Sequence, residues 1–308
     1  MAQNEFGEYE IRRIPKKSGD FRLLCIPDAQ TSSYQRLTLE AMYRRKLVDN
    51  PWALGGMPGV SLIDNVLPHA EGRSYYMLDA EDAFGNVDAE ALVTYARELY
   101  DTGRGGEYDY SSFIEVFGFA PGVEGLPQGA PTSPYLFNLY CQEMDIELGA
   151  LCENAGVTYT RWLDDFTFSS PKTERVFTDS FRKKIRDTIM RHGVKINHQK
   201  SRVHQRVTKP VTVTGLSIYP DGRIQPCPDL LTKLFNEMSE IEEQLDTLPT
   251  IGSEWELVSL QARLNGWNSV IELGEHTERG EDLPPILDRA KKIYRDLSHR
   301  AAWLLVHE

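Results

Sequence analysis

Two adjacent carboxylates, Asp164 and Asp165, lie between short apolar runs, and they constrain this chain more than any other feature. Apolar residues on both sides of an acidic pair predict a β-hairpin over 157–169 with the carboxylates at its tip. A third acid, Asp79, ends another apolar segment that is typical of a strand. Like charges placed side by side are costly unless a cation neutralises them. The three acids therefore predict an oxygen-rich site for two Mg²⁺ ions, of the kind that serves phosphoryl transfer.

An acidic pair alone is most often a solvated turn, so the neighbouring segments decide the interpretation. Between the two acidic segments lies a loop from Gly125 to Pro134 that is rich in glycine and proline. It leads into an apolar segment, Tyr135 to Leu148, that predicts a helix. So many special residues in one loop indicate a shaped backbone platform beside the acids.

In this order the segments resemble the palm motifs of reverse transcriptases: Asp79–Phe84, Leu126–Pro134 and Trp162–Asp165. Outside the palm, Ile14–Arg22 resembles the basic fingers hairpin, and Val211–Leu216 resembles the primer-grip region. The chain is therefore identified as a member of this family.

Two further elements resemble those of the bacterial retron enzymes. One is Asn65-Val66-Leu67-Pro68-His69, which is similar to their Asn-Ala-x-x-His element. The other is the triplet Val213-Thr214-Gly215. We therefore expect a retron-type reverse transcriptase.

The resemblance implies an α+β fold of the right-hand polymerase type. Residues 1–70 would be fingers, and 71–228 a palm with an antiparallel sheet, inserted fingers elements and the primer grip. Residues 229–308 would form a helical thumb, which three stretches of apolar residues at three-to-four spacing also predict.

The resemblance also assigns the site. Asp79, Asp164 and Asp165 would hold the metal ions, and Lys200 would protonate the departing pyrophosphate. The predicted nucleotide-binding residues are Lys16, Lys17, Arg22, Ala83, Phe84, Gln128 and Gly129. The predicted RNA-binding residues are Asn65, His69, Val213, Thr214 and Gly215.

Two aromatic residues, Phe84 and Trp162, lie within the segments that resemble the palm motifs. Phe84 matches the family position whose ring lies beneath the sugar and leaves no space for a 2′-hydroxyl, which predicts a DNA product. Trp162 stands where the family usually has tyrosine, and it affects the expected rate and fidelity more than activity itself.

The net charge of −12 is unusual for a nucleic-acid-binding protein, because phosphate neutralisation supplies much of such affinity. Positive charge is confined to residues 1–50, with nine Lys and Arg against seven Asp and Glu, and to residues 171–228, with thirteen against four. Residues 229–308 carry eight against sixteen. This distribution favours one dedicated RNA, or a protein that covers the acidic face, over indiscriminate binding of long duplexes.

The remaining expectations concern compartment and partners. The four cysteines lack metal-site spacing and indicate free thiols in a reducing cytoplasm, and no stretch is apolar enough to cross a membrane. The retron resemblance implies dNTPs, a cognate structured non-coding RNA as template and primer, its DNA product, and a separate effector protein in anti-phage defence.

Two alternatives remain open. One is another bacterial defence-associated reverse transcriptase that uses protein priming or no template. The other is a catalytically silent RNA-binding scaffold for an effector, although such a scaffold has no reason to keep three costly acids.

Overall fold

A computed structural model describes residues 9–15, 19, 21–104, 107–172, 176–206, 208–247, 260, 263, 264, 267, 270, 289 and 291–299. The chain forms two compact units. Unit 1 contains residues 1–60 and 72–205, and unit 2 contains residues 61–71 and 206–308. Both helices and antiparallel sheets are present, as the α+β expectation requires.

The strands are β1 (Tyr9–Pro15), β2 (Phe21–Pro27), β3 (Ser74–Asp79), β4 (Thr158–Trp162), β5 (Asp165–Ser170), β6 (Arg202–Gln205), β7 (Val211–Val213), β8 (Leu216–Ile218) and β9 (Ile224–Pro226). The helices are α1 (Ala29–Arg44), α2 (Leu62–Val66), α3 (Ala89–Asp101), α4 (Ser111–Phe117), α5 (Ser133–Tyr140), α6 (Gln142–Ala155), α7 (Asp179–Arg191) and α8 (Pro228–Thr247). A 3₁₀ helix, Leu67–His69, follows α2.

The central sheet of unit 1 has the strand order β4-β5-β3-β6, with antiparallel pairing throughout. Its strands are rich in buried aromatic residues, of which Tyr76, Tyr159 and Phe168 stack on one another. Because these rings bury large apolar areas, they fix the sheet against the surrounding helices. The packed sheet therefore holds the end of β3 and the start of β5 in fixed positions.

The hairpin expected around Ile14–Arg22 is present as the antiparallel pair β1–β2, which forms a separate two-stranded sheet. The N–H of Cys25 on β2 donates to the carbonyl of Gln128 at 2.7 Å. This bond joins the hairpin to the loop that precedes α5.

The predicted helix from Tyr135 to Leu148 is two helices, so this prediction was wrong in part. The chain leaves α5 at Cys141, where φ is −87° and ψ is 0°, and α6 starts at the next residue. Apolar residues continue through the break because both helices face the same core. The hydrophobic pattern therefore gave no sign of the interruption.

Unit 2 combines the sheet β7-β8-β9, the helix α8 and the segment 61–71. Its apolar core includes Leu234, Met238, Ile241 and Leu245 of α8, which confirms the predicted spacing there. Residues 291–299 are helical, while much of the expected thumb lies outside the described residues. The division into units does not follow the predicted boundaries, since 61–71 packs with β8 of the later segment.

Two general expectations can be compared with the structure. All four cysteines are free thiols, and Cys25, Cys141 and Cys152 are buried. Within the described residues, no helix has the length and apolar character needed to cross a membrane.

Candidate active site

The three predicted catalytic acids converge at one end of the central sheet. Asp79 on β3 is the direct register partner of Asp165 on β5. The N–H of Ala80 donates to the carbonyl of Asp164 at 2.8 Å, which extends this pairing into the turn. On the other side, the N–H of Asn197 donates to the carbonyl of Asp79 at 2.9 Å. Backbone hydrogen bonds therefore hold all three acidic positions together.

Asp164 and Asp165 are presented by the tight turn between β4 and β5. Trp162 and Asp165 are paired, so only Leu163 and Asp164 lie between the strands. Leu163 has a φ of +53°, a left-handed conformation that costs a residue with a Cβ roughly 1–2 kcal/mol. Strain of this kind persists only where surrounding contacts impose it.

The electrostatics of the site reflect crowded negative charge. Burial among protein atoms, followed by repulsion from Asp164 and Asp79, raises the pKa of Asp165 to about 7. Desolvation and the charge of Asp79 likewise raise the pKa of Asp164, while Lys200 and Arg22 lower it. Both acids still reach solvent, so water screens part of this repulsion.

Lys200 supplies the compensating charge. Its Nζ donates to Asp79 Oδ1 at 2.8 Å and to Oδ2 at 3.0 Å. This hydrogen bond, with help from the neighbouring acids, raises the pKa of Lys200. The Lys200 side chain is 58% exposed, whereas that of Asp79 is 17% exposed, so the lysine approaches the acid from the solvent side.

The three acids carry the oxygen ligands that divalent cations prefer. Within the described residues, however, no group of three or more His, Cys, Asp or Glu side chains is placed so that it could hold a metal ion. The pKa values of Asp164 and Asp165 are raised first by desolvation and then by the neighbouring carboxylates, and a cation beside them would offset both effects. The ammonium of Lys200 already places positive charge on both oxygens of Asp79.

Three of the predicted nucleotide-binding residues, Lys16, Lys17 and Arg22, belong to the segment that resembles the fingers hairpin. Lys16 and Lys17 lie outside the described residues. Arg22 is exposed on β2 and is close enough for its charge to lower the pKa of Asp164. A guanidinium in this position is suited to the oxygens of a triphosphate.

Ala83 and Phe84 follow β3 and are half-buried. The Phe84 ring packs against Phe137 at a centroid distance of 5.4 Å. The carbonyl of Phe84 accepts a hydrogen bond from the N–H of Leu126 at 2.8 Å. The aromatic residue is thus fixed between α5 and the glycine-rich loop, with part of its surface open.

Gln128 and Gly129 contact the β1–β2 hairpin through their backbone. Gln128 is half-buried, and its carbonyl accepts from Cys25. Gly129 has a φ of +119°, and a Cβ there would lie 2.8 Å from the carbonyl oxygen of Cys25. Only glycine permits this close approach of loop and hairpin.

The predicted RNA-binding residues all belong to unit 2. Asn65, His69 and Val213 are buried, while Thr214 and Gly215 are partly exposed in the turn between β7 and β8. Asn65 Nδ2 donates to Thr214 Oγ1 at 3.1 Å, so the two retron-like elements are in direct contact. Burial lowers the pKa of His69 to about 3, which keeps the imidazole neutral.

A buried polar network beside the acidic turn was missed by sequence reasoning. Arg161 and Asp145 form an ion pair with both side chains 0% exposed. Asn50, Asn138 and Tyr159 complete the network through side-chain hydrogen bonds. The available signal was a charged residue, Arg161, inside a strand whose neighbours are buried.

Comparisons with known proteins show the family to which this chain belongs. The family described as "Reverse transcriptase (RNA-dependent DNA polymerase)" matches residues 14–218. The retron Mx162 reverse transcriptase of Myxococcus xanthus is 29% identical over 238 residues, covering 69% of this chain and 47% of the relative. The retron Mx65 reverse transcriptase of the same organism is 32% identical over 229 residues, covering 68% and 51%. This chain therefore spans about half the length of these two relatives.

A third relative is covered more fully. The retron Ec83 reverse transcriptase of Escherichia coli is 26% identical over 232 residues, which cover 70% of this chain and 71% of the relative. Among solved structures, apo telomerase from Candida tropicalis has a TM-score of 0.55 at 12% identity, covering 98% of this chain and 63% of that chain. The same telomerase in complex with a fragment of telomeric RNA has a TM-score of 0.51 at 14% identity, covering 99% and 61%. These two likenesses show a shared fold.

Proposed function

Because the chain belongs to the reverse transcriptase family and is of the bacterial retron type, we propose that it is an RNA-directed DNA polymerase. The observation that carries this proposal is the register of Asp79 with Asp165, which places three carboxylates at one end of the sheet. Separate surface acids would not require the strained turn at Leu163 or the raised pKa values of Asp164 and Asp165.

Asp79, Asp164 and Asp165 would hold two Mg²⁺ ions. When bound, such ions lower the pKa of an attacking hydroxyl and stabilise charge on the leaving pyrophosphate. The acids fix where the 3′ end of the primer and the triphosphate must meet. The charge of Asp164 and Asp165 favours cation binding, because a bound cation stabilises the ionised carboxylates that burial, and then repulsion from neighbouring acids, disfavour.

Other residues of unit 1 would position the nucleotide. Arg22 lies within electrostatic reach of Asp164 and would bind the triphosphate together with Lys16 and Lys17. Lys200, whose ammonium now contacts Asp79, would be the proton donor for the pyrophosphate. Gln128 and Gly129 would line the pocket of the base and sugar, and Ala83 and Phe84 would select deoxyribonucleotides.

The RNA partner follows from the family and from the distribution of charge. We propose a cognate structured non-coding RNA that serves as template and primer, with Asn65, His69, Val213, Thr214 and Gly215 at or beneath its binding surface. The basic residues of 171–228 support a phosphate-rich partner. The buried residues of this set, Asn65, His69 and Val213, would act by supporting the Thr214–Gly215 turn.

The wider setting is what the resemblance to retron enzymes implies. We propose a soluble protein of the bacterial cytoplasm that acts in anti-phage defence with a separate effector protein. We retain fingers, palm and thumb as the functional subdivision, at the boundaries predicted from the sequence. The acidic stretch 229–308 is the region that we expect an effector to contact.

Templated synthesis is tested with an RNA of defined sequence annealed to a DNA primer. Purified protein is supplied with Mg²⁺ and all four dNTPs, or with one dNTP omitted, and the products are sequenced. We expect extension that follows the template and stops at the position of the omitted nucleotide. Random additions would support untemplated synthesis instead, and no product from any primed RNA would favour the scaffold.

The dedicated RNA partner requires a different experiment. The protein is isolated from its host, and the nucleic acid that accompanies it is sequenced. A single structured RNA joined to complementary DNA is the expected result. A mixture that mirrors total cellular RNA would contradict a dedicated partner.

A further inference from the structure

Arg161 lies two residues before the Leu163 turn, and its side chain and that of its partner Asp145 are fully buried. Its Nε donates to Asp145 Oδ1 at 2.9 Å, and its Nη2 donates to Asp145 Oδ2 at 2.6 Å. A fork of this kind neutralises the carboxylate and fixes the guanidinium plane. The remaining nitrogen, Nη1, is therefore aimed in one direction.

Nη1 of Arg161 points toward the turn between β4 and β5. Arg161 Nη1 donates to the carbonyl of Leu163 at 3.0 Å and to Asn138 Oδ1, also at 3.0 Å. Leu163 is the left-handed residue immediately before Asp164. A buried arginine thus binds the one carbonyl whose peptide leads directly into the acidic pair.

Asp145, which accepts from Arg161, also accepts hydrogen bonds from two other side chains. Tyr159 Oη donates to its Oδ1 at 2.6 Å, and Asn50 Nδ2 donates to its Oδ2 at 2.6 Å. Satisfied buried networks rigidify their surroundings because each member is costly to leave unpaired. The Arg161 guanidinium is therefore held from several elements of unit 1.

A second contact to the turn comes from Gly55. Asn138 Nδ2 donates to the carbonyl of Gly55 at 2.7 Å. A Cβ at Gly55 would lie 2.7 Å from the nitrogen of Leu163. Asn138 therefore hydrogen-bonds both to Gly55, which lies against the turn, and to Arg161, which binds the carbonyl of Leu163.

We propose that Arg161 is a positioning residue for catalysis: it holds the Leu163 carbonyl so that the strained turn presents Asp164 and Asp165 in one fixed orientation. Asp145 and Asn138 keep the guanidinium in place. This proposal rests on the proposed polymerase function. Its physical basis is that a misplacement of about 1 Å in a catalytic group can lower a rate by roughly 100-fold.

The principal test compares Arg161→Lys with Tyr159→Phe. Lysine keeps the charge that neutralises Asp145 but lacks the planar fork that reaches Asn138 and Leu163 together. Tyr159→Phe removes a hydrogen bond to the same Asp145 and leaves the Arg161–Leu163 bond in place. Both variants weaken the hydrogen-bond network around Asp145, and the proposal expects only Arg161→Lys to alter the turn.

We expect Arg161→Lys to lower kcat for single-nucleotide incorporation by about 100-fold, with KM for the dNTP changed less than about threefold. Tyr159→Phe should retain kcat within about threefold, as expected for a change that leaves the catalytic groups in place. Equal kcat values for Arg161→Lys and wild type would overturn the proposal, as would equal losses in both variants. Inactive wild-type protein would instead overturn the polymerase function itself.

A readout that does not depend on activity is the ¹⁹F spectrum of protein labelled with fluorotryptophan. Trp162 adjoins Leu163, and its signal is assigned with Trp162→Phe. We expect this signal to shift or broaden in Arg161→Lys and to remain unchanged in Tyr159→Phe. An unchanged signal in both variants would contradict a positioning role.

A second variant covers the case in which Arg161→Lys does not fold. Arg161→Gln/Asp145→Asn removes both charges together, so neither is left buried and unpaired. Glutamine is too short to bind Leu163 as arginine does. A folded double variant with the kcat of wild type would overturn the proposal, and a loss of kcat near 100-fold would support it.

Discussion

Asp79 and Asp165 are opposite each other on neighbouring antiparallel strands, although Asp79 precedes Asp165 by a long stretch of sequence. Six consecutive residue pairs join β3 to β5, from Ser74–Ser170 to Asp79–Asp165. A slip of one residue would turn the Asp79 side chain to the other face of the sheet. The buried faces of these strands therefore determine the geometry of the acidic site.

Asp165→Asn should change how stability depends on pH. Because the folded-state pKa of Asp165 is raised to about 7, its ionisation opposes folding: its contribution is fully favourable below pH 4 and is lost as the pH rises through 7. We expect the variant to gain stability over wild type between pH 4.5 and pH 8. Urea unfolding in the presence of a chelator measures this difference.

The matched control for Asp165 is Glu115→Gln, which removes an exposed carboxylate from α4. Its stability relative to wild type should not increase over the same pH range. If the stability of Asp165→Asn and of Glu115→Gln depends on pH in the same way, the burial and crowding of Asp165 do not explain the change in stability.

His69 should make the protein sensitive to acid. Its pKa is lowered to about 3 when folded, below its ordinary value of 6.5, so stability is present above pH 6.5 and is lost as the pH falls toward 3. A group with this shift costs about 2 kcal/mol between pH 7 and pH 5, at 1.36 kcal/mol for each pKa unit.

His69→Gln should lose less stability than wild type over that interval, as measured by urea unfolding at the two pH values. The control is His198→Gln, since His198 is exposed. Parallel losses in wild type and His69→Gln would show that the buried imidazole is not responsible.

Gly55→Ala should impair catalysis more than folding. The new Cβ would lie 2.7 Å from the nitrogen of Leu163 and 2.9 Å from the carbonyl carbon of Trp162, so the turn must shift. We expect kcat to fall by about 10- to 100-fold, since catalysis depends on sub-ångström placement. Single-nucleotide incorporation measures the effect.

Gly118→Ala is the control for Gly55, because its Cβ would meet the Ile114 carbonyl oxygen at 2.5 Å, away from the turn. It should cost stability and leave kcat within about threefold, as for other changes that do not displace the catalytic groups. Comparable kcat losses in both glycine variants would point to general destabilisation.

Phe84→Ala should admit ribonucleotides. The ring is held against Phe137 and is half-buried, so its removal opens space beside the segment that follows Asp79. We expect the preference for dNTPs over NTPs to fall by at least about 10-fold, the discrimination that one well-packed group supplies. Competition between labelled dNTP and NTP measures this ratio.

The control for Phe84 is Phe113→Ala, which removes another half-buried ring, stacked on Phe117 at 5.1 Å. Sugar selectivity should be unaffected by that change. Unchanged selectivity in Phe84→Ala would remove Phe84 from this role.

Much of the site could be predicted from the sequence because its signals are local. The strand that ends at Asp79 and the hairpin that carries Asp164 and Asp165 each show in a few consecutive residues. Their register could not be read directly, since it depends on which strand pairs with β3. The family resemblance supplied that long-range information.

What the sequence did not show depends on side chains that meet only after folding. Arg161, Asp145 and Asn138 lie in different elements, and no spacing rule relates them. The interruption at Cys141 was hidden because α5 and α6 bury residues in one core. The packing of Asn65 against Thr214 likewise joins segments that are distant in sequence.

The most direct test of the account is single-turnover incorporation of one dNTP on a primed RNA template by wild type, Asp79→Asn and Asp165→Asn, with Glu115→Gln as a control. We expect both site variants to lose at least about 1,000-fold in rate, because metal-ion stabilisation is worth several kcal/mol, and the control to match wild type. Incorporation by either folded site variant at the wild-type rate would contradict the claim that these acids form the catalytic centre.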